Sequence, residues 1–388
     1  MILSSMRQLT NHLFKITVVA NLIMVAVSCT ETKNNDQQKK LFEKIINGKQ
    51  VTLFTLENRN GVKITLTNYG GKIVNLWIPD RNNKLADINL GFNTIDEYIK
   101  GSKSFGATVG RYANRIAKAT FILDSISYHL PVNNGPNCLH GGPDGFSSKV
   151  FDAKKIESPE GNGVEMHYQS PDGENGFPGT LDLFVTFRLT EKNELFISYK
   201  ATTDKPTVLN VTNHSYFNLN GEGNGLVTGM EVVVNGDSIA EVENNEMIPT
   251  GNYRNILGTP MDFKTPRLVS QGIGADYDQL KYGGGYDHAY LLNKKVKGEL
   301  SFAASAFDPE NGRFVEVFTT EPSVQFFTAN SLNGTQVGKS GIGYASRTGF
   351  CFETQHLPDS PNHPNFPSTV LRPGETFQST TIYKFSVR

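Results

Sequence analysis

Leu181-Asp-Leu-Phe-Val-Thr-Phe-Arg-Leu189 puts Leu181, Leu183, Val185, Phe187 and Leu189 on one side of an extended chain. Successive side chains point to opposite faces of a strand, so a period of two with one apolar face marks a strand packed on a core. Similar runs at residues 62–67, 73–78, 164–169, 195–201, 230–234, 314–319 and 377–385 predict further strands. Asn-Gly occurs ten times, among them at 60–61, 134–135, 235–236 and 333–334. That pair supplies the positive φ angles of tight hairpin turns, and its frequency predicts many antiparallel connections. Helical patterns are short and few, as at residues 94–99. The fold class expected is all-β, a large antiparallel β-sandwich. Glycine-rich stretches at 218–225 and 282–285 read as loops, no internal repeat is evident, and residues 41–388 read as one domain.

The chain has 388 residues, 38% of them hydrophobic and 19% charged, which is an ordinary globular composition. Basic and acidic residues number 37 and 38, so no net field draws the protein to nucleic acid or an anionic membrane. A small neutral polar ligand fits that balance better than a polyanion. No apolar run reaches the roughly 20 residues of a spanning helix. Arg7 and Lys15 precede an apolar run over residues 16–27, and residues 1–28 read as a secretory signal. Ala26-Val-Ser-Cys29 resembles a bacterial lipobox, in which Cys29 becomes the lipidated first residue, although Ala26 stands where Leu is usual. The expectation is an exported periplasmic lipoprotein attached to membrane through Cys29; cleavage just before Cys29, giving a soluble periplasmic product, is the competing reading. Residues 29–40 are polar and read as a tether. Cys138 and Cys351 are too few for a disulfide framework and not spaced for a metal site; they are expected as buried free thiols, with a single bridge between them the other reading.

Polar side chains concentrate in a few segments between strand-like runs: GRYANRIA at 110–117, NCLHGG at 137–142, TNHSYFNL at 212–219, YDHA at 286–289, VQFFTAN at 324–330 and CFETQHLPD at 351–359. In the last, Phe350 and Phe352 share one face, leaving Cys351 and Glu353 on the other. Singly, each segment has a plain structural explanation. A lone His is more often a hydrogen-bonded structural residue, Asp287-His288 after glycines is turn chemistry, and Glu353 is a solvent-facing carboxylate on a one-sided sheet.

Taken in order, with LRPGE at 371–375, these strings resemble the aldose 1-epimerase (galactose mutarotase) family over roughly residues 50–388. The resemblance implies the family's large β-sandwich, the galactose mutarotase-like supersandwich, and interconversion of the α and β anomers of aldohexoses such as glucose and galactose. Position by position it implies Glu353 as general base, His214 as general acid and His140 as a second histidine near the ring oxygen. It likewise implies Asn114, Arg115, Asp287 and Gln325 as residues binding sugar hydroxyls.

Mutarotation needs one group to take the proton of the C1 hydroxyl and another to protonate the departing ring oxygen. A carboxylate of reference pKa about 4.3 can accept, and an imidazole of about 6.5 can donate if neighbouring carboxylates hold it charged. The environment is expected to push the two values further apart. Sugar hydroxyls both donate and accept, so a mixed Asn, Arg, Asp and Gln set suits them. No redox step, phosphate or covalent intermediate is required, so neither cofactor nor metal is expected. A glycoside hydrolase using Asp287 and Glu353 leaves the histidines without a role; a non-catalytic sugar-binding module leaves His214 and Glu353 without one. Residues 334–340 fall one residue short of a phosphate-binding P-loop and read as a hairpin. His356 and His363 do not form a zinc spacing with His214 and are expected to be structural or exposed in loops.

Overall fold

The computed structural model describes residues 37–102 and 104–388. The expected signal at residues 1–28, Cys29 and the start of the 29–40 segment lie outside the described residues. Within that segment residues 37–40 form a helical turn, and Gln38 donates to Asn75 at 2.7 Å.

A nine-stranded sheet carries the strand on which the fold was read. From edge to edge it runs Asp152–Ile156, Asn162–Ser170, Leu181–Leu189, Glu194–Thr203, Phe377–Val387, Arg313–Thr319, Ser301–Phe307, Glu231–Val234 and Arg267–Leu268. Its ladders are antiparallel throughout. Leu181, Leu183, Val185 and Phe187 are 0% exposed, while the residues between them are half-buried. Burial of each such side chain is worth about 1.5–3 kcal/mol, and the alternation fixes which face turns inward.

Facing it across one continuous core are a four-stranded sheet (Leu53–Glu57, Lys63–Thr67, Lys72–Pro79, Leu85–Asp87) and a five-stranded sheet. The five-stranded sheet runs Pro249–Asn255, Ser238–Val242, Asp287–Leu291, Ser323–Phe327, Cys351–Gln355. Val324, Phe326 and Phe352 enter the common core with Leu183, Val185 and Phe187 of the opposite sheet. The expected sandwich is therefore present, and the helix expected at 94–99 is Ile95–Lys100, capped by Thr94 and Glu97 in a capping box.

Asn-Gly was a mixed guide to hairpins. Asn47-Gly48 joins two strands with both residues at positive φ, as a two-residue turn requires. Asn235-Gly236 instead carries the chain from the nine-stranded to the five-stranded sheet, and Asn162-Gly163 lies inside a strand. Residues 334–340 sit in a hairpin closed by a bridge between Val337 and Gly343, and Lys339 donates to the carbonyls of Val74 and Asn89, both at 2.7 Å.

Candidate active site

The last two strands of the five-stranded sheet are buried on both faces, and this builds the site. Register places Gln325 opposite Glu353 and both Asp287 and Cys351 opposite Phe327. These residues share the face turned away from Phe326 and Phe352, so the core holds one side of the sheet and the polar set occupies the other. Glu353 is 2% exposed, which rules out the solvent-facing reading of that residue.

Loops cover this second face. Reciprocal backbone bonds between Phe217 and Phe350, at 2.7 and 2.9 Å, tie the segment after Thr212–His214 to the start of the strand bearing Glu353. His214 Nε2 thereby lies 3.6 Å from Glu353 Oε1. Its ring stacks on Tyr216, centroids 4.8 Å apart, and its Nδ1 is 3.5 Å from Cys351 Sγ. His140 approaches His214 edge-on at 5.1 Å. It comes from a pair of two-residue strands, Arg115–Ile116 and Cys138–Leu139, that holds GRYANRIA against NCLHGG. Asn114 and His140 both take positive φ and lock each other: His140 N–H donates to the Asn114 carbonyl and Asn114 N–H donates to His140 Nδ1, each at 3.1 Å. Gly141 follows at φ +81, where a Cβ would sit 2.0 Å from the Gly110 carbonyl oxygen.

The expected binding residues meet here as well. Gln325 Nε2 donates to Asp287 Oδ1 at 2.7 Å, and Arg115 Nη1 lies 3.9 Å from Asp287 Oδ2. Arg115 Nε donates to Asn134 at 3.0 Å, and its backbone N–H donates to Asn114 Oδ1 at 2.9 Å. Among the described residues, Glu353 Oε2 and Gln325 Oε1 have no hydrogen-bond partner. Buried acceptors left open cost about 1–3 kcal/mol each, a cost that a ligand's hydroxyl groups remove. All seven residues singled out in the sequence thus fall in one site. Arg111, four positions before Arg115, does not: its guanidinium donates to the carbonyls of Pro178 and Gly179 and is structural.

Protonation departs from expectation. Burial pushes the Glu353 carboxyl well above its ordinary value, with Asp287 adding to the effect and Arg115 opposing it. Burial takes His214 down to about 3, and Lys72 lowers it further while a bond to its own backbone opposes. Burial, His214 and Arg115 likewise hold His140 well below the usual range. The imidazoles are therefore neutral, not the charged donors anticipated, and the environment moves base and acid toward neutrality instead of apart. Sequence reading also passed over Tyr216 and Cys351 as parts of the site. Each lies two positions from a predicted catalytic residue, Tyr216 from His214 and Cys351 from Glu353, and that was the available signal.

Donor atoms of His140, His214 and Glu353 lie within 4.8 Å of one another, a set that by composition suits a transition metal. The hydrogen bonding opposes it. A ligating His donates its second nitrogen's proton to an acceptor, whereas His140 Nδ1 faces the Asn114 N–H and so leaves the proton on Nε2. His356 and His363 are structural: His356 pairs with Glu321 at 2.7 Å and His363 with Asp359 at 3.2 Å. Cys138 and Cys351 are free and buried, as expected.

A family model described as aldose 1-epimerase matches residues 52–384. Galactose mutarotase of Bos taurus is 41% identical over 84% of this chain and 92% of its own length. Aldose 1-epimerase of Escherichia coli K12 is 36% identical over 87% and 96%. A crystal structure of an aldose epimerase homologue from C. elegans superposes with a TM-score of 0.79 at 30% identity, covering 87% of this chain and 99% of that one. Galactose 1-epimerase from Lactobacillus acidophilus gives 0.78 at 27% identity, covering 89% and 97%.

Proposed function

Because the chain belongs to the aldose 1-epimerase family, we propose that it opens and recloses an aldose ring with Glu353 as base and His214, assisted by His140, as proton donor. The activity is an isomerase's, interconverting α and β anomers. The carrying observation is Glu353: a buried carboxyl of raised pKa, with one oxygen unpartnered and the other 3.6 Å from a neutral imidazole.

A carboxylate of raised pKa is a stronger base once ionised. Glu353 takes the O1 proton, O1 forms the aldehyde double bond to C1, and the C1–O5 bond breaks with its electrons passing to O5. His214 supplies the proton to O5, with His140 Nε2–H directed at the same charge. A neutral imidazole can serve as such a donor, because its weakly acidic N–H is matched to an alkoxide better than to a weak base. Half a turn about C1–C2 exposes the other face of C1, and reversing the transfers closes the ring. Arg115, Asn114, Asp287 and Gln325 hold the remaining hydroxyls while the C1 end turns, which is the positioning contribution. Asp287 is already engaged by Gln325 and Arg115, which favours a holding role over that of a second hydrolytic carboxylate.

The substrates proposed are aldohexoses such as glucose and galactose. Polarimetry of freshly dissolved α-D-galactose and α-D-glucose should show a faster approach to anomeric equilibrium with enzyme present. No acceleration across a panel of aldoses would remove this reading.

Export with a lipid on Cys29 is proposed on the sequence grounds given above: Arg7 and Lys15, the apolar run at 16–27, and the lipobox-like ending. Metabolic labelling with a fatty-acid analogue should mark the wild-type chain and not Cys29→Ala. A cleaved, unlabelled chain would mean the soluble periplasmic form.

A further inference from the structure

The two histidines of the site are held in related ways. His140 Nδ1 accepts a backbone N–H from Asn114 at 3.1 Å, which leaves its proton on Nε2. At the corresponding nitrogen of His214 the partner is a side chain, Cys351 Sγ at 3.5 Å. We propose that Cys351 is a positioning residue whose S–H donates to His214 Nδ1 and so keeps the proton of the neutral ring on Nε2, the atom facing Glu353. The inference rests on His214 acting as the donor to the ring oxygen, since only then does the choice of nitrogen matter to the reaction.

Three observations support the direction of that bond. Cys351 is 0% exposed, on the same strand face as Glu353. Burial, with Glu353 and Asp287 nearby, pushes its pKa well up, so sulfur keeps its proton and is a donor at neutral pH. Tyr216 stacks against the imidazole with the ring planes 11° apart and holds the ring plane, within which Nδ1 lies toward sulfur and Nε2 toward the carboxylate. The competing arrangement places the proton on Nδ1, directed at His214's own backbone, and leaves Nε2 bare. A bare Nε2 has nothing to give the ring oxygen, so the two arrangements differ in chemistry as well as in structure.

The test is a long-range ¹H–¹⁵N correlation spectrum of the sugar-free protein labelled with ¹⁵N-histidine, with His214→Gln used to assign the signals. Wild type should show His214 protonated at Nε2 and bare at Nδ1. Cys351→Ser, which keeps a donor, should preserve that pattern; Cys351→Ala should lose it. In parallel, Cys351→Ala should lower kcat about fivefold with KM unchanged, the scale of one lost hydrogen bond, and Cys351→Ser should restore it. A wild-type His214 carrying its proton on Nδ1 would overturn the inference, as would Cys351→Ala with both tautomer and kcat intact. The role of His214 fails separately: full activity in His214→Gln would remove the donor reading while leaving the wild-type tautomer as measured.

Discussion

Two strands of this molecule, Leu181–Leu189 and Cys351–Gln355, divide the labour of fold and function. The first is buried on one face only, in strict alternation; the second is buried on both. In the first, every inward residue is apolar and its task is packing. In the second, Phe352 does the packing from one face while Cys351 and Glu353 are buried on the other. A sheet face turned away from the core normally meets water, and here the segments carrying His140 and His214 take the water's place. Low dielectric then acts on the carboxyl and imidazoles together, which is how a packing arrangement becomes a chemical one.

Substitution in each strand should separate the two roles. The largest loss of rate belongs to the site face. Glu353→Gln and His214→Ala should each lower kcat by about 10²–10⁴-fold with sugar affinity retained, read by polarimetry and calorimetry. Thr354→Val, one residue from Glu353 but bonded to Thr381 on the other face, should leave kcat near wild type. Phe187→Ala on the first strand should do the reverse, costing about 3–5 kcal/mol in denaturant unfolding while the folded fraction keeps its kcat. A large kcat loss in Phe187→Ala with stability intact would erase the distinction.

A smaller effect runs against the usual direction of mutation. Glu353 has a folded-state pKa raised above its unfolded value, so keeping it ionised in the native state costs stability at neutral pH. Glu353→Gln should therefore be more stable than wild type at pH 7, by about 0.5–2 kcal/mol. The advantage should fade as pH falls and vanish below the unfolded glutamate pKa of about 4.3, where both chains are neutral at this position. Equal stability at pH 7 would mean that the carboxyl is not held against a desolvation cost.

Much of this was legible in the sequence, for a physical reason. Alternation over Leu181–Leu189 is a local consequence of one-sided burial, and the Thr94 capping box is local too. Glu353 sat beside Phe352 in a pattern that alone favoured a solvent-facing carboxylate. What surrounds it comes from other segments, Gln325 opposite it and His214 more than a hundred positions away, which no local window contains. The ordered motifs, through the family they resemble, brought those segments together. They also assigned Arg115 to the site and gave no role to Arg111, whose guanidinium is spent on the Pro178 and Gly179 carbonyls. They did not give the protonation states, because a pKa near 3 for His214 follows from depth and neighbours, not from residue type.

The most direct test is a crystal structure of the Glu353→Gln variant soaked with D-galactose. The expected result has O1 of the sugar within hydrogen-bond distance of the side chain at 353, the ring oxygen facing His214 Nε2, and other hydroxyls on Arg115 and Asp287. A sugar whose reducing end points away from both 353 and 214 would contradict the assignment of base and donor.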